Sequence, residues 1–95
     1  MIIVSSFFTG VDRKPFIQQH FEFLNEKVSQ NLIIAAGRKS GGEGGCILWN
    51  LDSKEEVARH MLEEPLAKNG ALTYEMIQFD TDFCSDEFKK LIDLR

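Results

Sequence analysis

The chain has 95 residues, a formal net charge of -4 and 43% hydrophobic residues, with 8 phenylalanines among them. That length predicts one domain over residues 1–95, and that much apolar material argues against disorder. No Lys/Arg cluster is longer than a pair, so no basic face is offered to a nucleic acid, and no apolar run approaches the roughly 20 residues that cross a bilayer.

"MIIVSSFF" (1–8) is β-branched and aromatic, is bounded by Thr9-Gly10, and reads as a strand. Its first residues lack the basic stretch and the cleavage site of a secretory leader, which predicts a cytoplasmic protein. A helix is expected next, with Asp12 as cap, Pro15 in the first turn and a stop near Asn31. Its apolar stripe is read as Phe16, Ile17, His20, Phe21, Leu24 and Val28. "LIIAAGRK" (32–39) is the second strand. "SGGEGG" (40–45) is too glycine-rich for a regular element and reads as a flexible hairpin loop. A phosphate cradle would need that loop to open a helix, and a strand follows instead. "CILWNL" (46–51) is that third strand.

Ser53 with Glu56 three residues later forms a capping box for a second helix, whose apolar stripe is Val57, Met61 and Leu62. Pro65 ends that helix or begins a short turn. "LTYEMIQF" (72–79) is the fourth strand, and residues 81–95 form a tail or a short amphipathic helix with Phe88, Leu91 and Ile92 on one side. Cys46 and Cys84 match no metal or redox spacing and read as free thiols.

The order βαββαβ predicts an α+β ferredoxin-like plait over residues 1–80, with both helices on one face of a four-stranded antiparallel sheet. The strands carry large apolar groups on both faces, so a second copy is expected to cover the open face, sheet against sheet.

Five stretches stand in an order that resembles the YciI-like (YCII-related) family: "HFEFL" (20–24), "AAGR", "GGCIL", "SKEEV" and "EEPLAKNGAL" (63–72). The resemblance covers about residues 1–80, and it rests on the order and spacing of the set, since no single motif is specific. It implies a dimeric α+β barrel. It also implies an active site built from a histidine of the first helix and an aspartate in an Asp-Pro-Phe motif after the second. The histidine matches His20. The second motif departs, because Glu64-Pro65-Leu66 stands where Asp-Pro-Phe is expected. The pair carried over is therefore His20 and Glu64.

The residues themselves leave several readings open. His20 is either a satisfied core or interface histidine or a general acid/base, for which an imidazole oriented by a carboxylate is suited. No Ser or Cys nucleophile with a matching elbow is visible, so proton transfer fits better than acyl transfer. Glu63 and Glu64 read either as a solvated helix end or as the site's acid, and the place before the proline favours Glu64. Phe7, Phe8 and Trp49 are core or interface aromatics, or they line a pocket for an aromatic ligand. His60 lies among charged residues and is expected to be exposed. Only His20 and His60 could ligate a haem iron and neither lies in a recognisable motif, so no cofactor or metal is expected. Two functions follow. The first is a cofactor-free small-molecule lyase, isomerase or hydrolase. The second is a module that binds a small ligand, or only dimerises, without turnover.

Overall fold

The computed structural model describes residues 1–93. Four strands, β1 (Ile2–Phe8), β2 (Ile33–Arg38), β3 (Gly45–Trp49) and β4 (Leu72–Gln78), form one antiparallel sheet in the order β2-β3-β1-β4. Four α-helices accompany them: α1 (Ile17–Ser29), α2 (Lys54–Glu63), the single-turn α3 (Pro65–Lys68) and α4 (Asp86–Asp93). The architecture is α+β and compatible with a ferredoxin-like plait.

Each boundary has a local cause. A 3-10 turn over Lys14–Phe16 precedes α1, and the Asp12 carboxylate accepts from the Lys14 N–H in front of it. α1 ends where Asn31 takes φ 59, with Asn31 N–H donating to Val28 O and Leu32 N–H to Lys27 O. That is the two-bond Schellman close, with asparagine in the left-handed position. Ser53 Oγ accepts from Glu56 N–H at the start of α2, as the capping box predicts. Pro65 disfavours helical backbone at the residue before it, and Glu64 is extended at ψ 121.

The core lies on one face of the sheet. Ile2, Val4, Ile33 and Trp49 from the strands pack against Phe23 of α1 and Val57 and Met61 of α2. The Phe23 ring meets the Trp49 indole edge-on at 6.4 Å. A smaller cluster of Leu66, Ala71 and Leu72 extends this core, with Phe8 and Phe16 against it. The apolar stripe read for α1 is displaced as a result. Phe23 is the residue it buries, while Phe21 and Val28 stay 56% and 47% exposed. Phe23 lies between Glu22 and Leu24 in a helix rich in apolar residues, and the indole across from it selects the buried edge.

The opposite face of the sheet is open. Register brings Ala35, Leu48, Ile3 and Ile77 into one row across all four strands. Ile77 is 56% exposed.

The glycine-rich hairpin is not a loose loop. Phe8 N–H donates to Glu43 O, Lys39 N–H to Gly44 O and Gly42 N–H to Lys39 O. Gly44 is buried against β1, so the hairpin tip continues the sheet. Glycine serves here for close approach rather than for mobility.

α4 is attached through its backbone as well as its apolar side. Asn31 Nδ2 and Asn50 Nδ2 both donate to Leu91 O. Phe88 and Ile92 are half-buried and Leu91 is exposed. Leu94 and Arg95, the end of the segment read as a tail or helix, lie outside the described residues. Among the described residues no helix is long and apolar enough to cross a membrane.

Candidate active site

His20 stands between two edges of α1. On one side is the buried Phe23. On the other, Ile17, Phe21, Leu24 and Val28 face a cleft of about 640 Å³, which His20 also lines. That volume is in the range of small-molecule sites. β1 contributes Ser6 and Phe8, and the β2–β3 hairpin adds Ala36, Ile47 and several glycines. Met61, Glu64, Leu66 and Leu72 complete the lining.

Glu64 Oε1 lies 2.5 Å from His20 Nδ1. The carboxylate is 1% exposed and the imidazole 19%. Burying a carboxylate is costly unless its oxygens are bonded, and both are. Oε2 accepts from the Ala67 N–H at 2.8 Å, which makes Glu64 the cap of α3. The sequence places this residue at the end of α2, where a negative charge opposes the helix dipole. The proline changes that. With Glu64 extended and Pro65 at the first position of α3, the carboxylate turns to the start of the next helix, where negative charge is favoured. Glu63 stays exposed.

An ionised carboxylate only accepts, so Nδ1 carries the ring proton in the neutral imidazole. Nε2 then holds the free lone pair. A general base held by an orienting acid needs this arrangement.

Of the three aromatics read as candidate pocket walls, only Phe8 lines the cleft. Phe7 lies under the Lys39 ammonium, 3.4 Å from its ring centroid. Trp49 is fully buried in the core. It is covered there by His60, whose ring stacks on the indole at 5.2 Å and 22°. His60 is therefore half-buried rather than exposed, because the helical register aims it at Trp49. Burial holds its pKa below the ordinary 6.5; the charges of Lys27 and, more weakly, Arg59 add to this, and Glu56 opposes it. The unfolded chain takes up this proton at the ordinary value and the folded chain does so only at lower pH. The contribution to stability is complete above pH 6.5 and is lost as pH falls towards the lowered value. Urea midpoints measured from about pH 7.5 down to about 5.5 should fall more in the parent than in His60→Gln, and equal falls would remove this account.

The residues that sequence reasoning missed are Arg13 and Arg38, both on the cleft wall. Neither belongs to a periodic pattern. Arg13 lies in the connection after β1, and its guanidinium stacks on Phe8 at 3.6 Å from the ring centroid. Arg38 ends β2 in the stretch "AAGR".

Among the described residues no group of three or more His, Cys, Asp or Glu side chains could hold a metal ion. A scan against protein-family models and a search of curated proteins both found no match.

Proposed function

We propose that the protein is a cofactor-free small-molecule enzyme that transfers protons through His20, with Glu64 fixing the imidazole. The contact between His20 Nδ1 and Glu64 Oε1 at 2.5 Å, inside a cleft of ligand size, carries this reading. Nε2 takes a proton from the substrate as base, and the imidazolium, stabilised by the carboxylate, returns it as acid. Such a cycle belongs to an isomerase or lyase.

The resemblance to YciI-like proteins supports the same pair by motif order alone. It brings glutamate where that family has aspartate, and the contact above is made by this longer acid. The test is exchange of carbon-bound hydrogen with heavy water, followed by NMR over a panel of cyclic ketones, lactones and hydroxylated aromatics. At least one compound should exchange with the parent and none above background with His20→Ala. Absence of exchange across the panel, or equal exchange by the variant, defeats the proposal.

A second reading is a binding or dimerising module in which the pair only staples α1 to α3. The bond from Ala67 N–H to Glu64 Oε2 favours it, since that bond gives the acid a structural task. The same exchange measurement separates the two readings.

We also propose a homodimer through the open sheet face, in the manner of dimeric α+β barrels. The apolar row Ala35, Leu48, Ile3 and Ile77 supports it. Sedimentation at micromolar concentration should give twice the chain mass, and Ile77→Lys should shift it towards the monomer. A parent that sediments as a monomer sinks the dimer.

A further inference from the structure

We propose that the cleft takes an anionic molecule with an apolar body, whose carboxylate is held by Arg13 and Arg38. The inference rests on reading the cleft as a small-molecule site and names the class of ligand that fits it. Its walls are largely apolar, with Ile17, Phe21, Leu24, Val28, Ile47 and Leu66 among them. Its fully charged lining residues are two guanidinium groups, Arg13 and Arg38, and one carboxylate, Glu64. That carboxylate is already engaged at both oxygens, by His20 and by the Ala67 N–H. Among the described residues neither Arg13 nor Arg38 takes part in an ion pair.

The cleft therefore reverses the sign of the molecule around it. The chain carries a net charge of -4, yet cations outnumber anions in this lining. Low-dielectric walls strengthen that local field and draw in an anion. Arg13 is also arranged for the task. Stacking on Phe8 occupies a face of the guanidinium and leaves its edge of N–H donors available. A planar carboxylate matches that edge with two parallel hydrogen bonds. Two cations on an apolar wall suit one anionic group on a hydrophobic body better than a polyphosphate.

The experiment compares 2-naphthoate with its neutral counterpart 2-naphthamide by calorimetric titration of the full chain in low salt. The parent should bind the acid about tenfold more tightly than the amide, a difference of about 1.4 kcal/mol. Arg13→Gln and Arg38→Gln should each weaken the acid by about fivefold and leave the amide within about twofold. In the unaltered chain the preference should shrink when salt rises from about 50 to about 500 mM, a readout that depends on no variant. Equal binding of acid and amide, binding of neither at millimolar concentration, or a preference insensitive to both salt and the two arginine changes overturns the proposal. His20→Ala separates it from the catalytic reading. If that variant keeps the preference while no compound exchanges hydrogen in the parent, the ligand class stands and proton transfer falls. If hydrogen exchange proceeds and the amide binds as well as the acid, only the ligand class falls.

Discussion

Gly44→Ala should lose at least about 3 kcal/mol of stability, or fail to fold, when unfolding in urea is followed by circular dichroism. A methyl group on Gly44 would lie 1.9 Å from the Ser6 carbonyl oxygen and 2.6 Å from the Ser6 carbonyl carbon. Both atoms belong to the backbone of β1, so no side-chain rotation relieves the overlap. The hairpin tip would have to lift and give up the bond from Phe8 N–H to Glu43 O. Gly37→Ala is the control, since a methyl group there meets nothing within 4 Å. It should be neutral or gain about 0.5 kcal/mol by restricting the unfolded chain. Equal stability of the two variants would mean that the tip is not seated on β1.

Glu64→Gln should move the imidazole proton of His20 from Nδ1 to Nε2. Two donors, His20 Nδ1–H and Ala67 N–H, now share one carboxylate. An amide has one accepting oxygen and one donating nitrogen. With its oxygen on Ala67, the amide presents N–H to the ring, and Nδ1 must accept. The amide then occupies the lone pair on Nδ1, the ring proton sits on Nε2, and Nε2 can no longer act as a base. In a serine-protease triad the same carboxylate-to-amide change costs about 10⁴-fold in kcat. Long-range proton–nitrogen NMR spectra of the neutral ring read the tautomer without any substrate. An unchanged tautomer in Glu64→Gln would show that the carboxylate does not set it. Glu64→Asp should preserve the tautomer if the shorter acid still reaches Nδ1, and the same spectra show whether it does.

Strand identities and the bounds of α2 were legible because each depends on short-range chemistry: β-branched runs, Ser53 with Glu56, and Pro65; the start of α1 was not, because a 3-10 turn moves it from Asp12 to Ile17. The buried edge of α1 was not, because Ile17, Phe21, Phe23, Leu24 and Val28 give the helix more apolar surface than one face can hide. The core that the sheet and α2 present to the helix, Trp49 included, decides among them. The pairing of His20 with Glu64 was implied by the order of the family-like stretches, whereas the second bond of Glu64, to Ala67, follows from the extended backbone before Pro65. The glycine loop misled because glycine marks both freedom and close approach, and only the atoms of Ser6 tell them apart. Arg13 and Arg38 belong to no periodic pattern and become visible as parts of one lining only when β1 and the β2–β3 hairpin meet.

The pairing of β1 also shapes how the chain reaches this structure. Ile3 is opposite Leu48 on one side and Ile77 on the other, so the first of the four strands has its partners far downstream. On the ribosome β1 cannot complete either edge until β3 has emerged, and the second edge waits for β4. Closure of such long segments is entropically slow, which places folding of this topology nearer milliseconds than microseconds. Until then Ile2, Ile3 and Val4 remain uncovered on a nascent chain, and this short stretch is where chaperone binding or misassembly would begin.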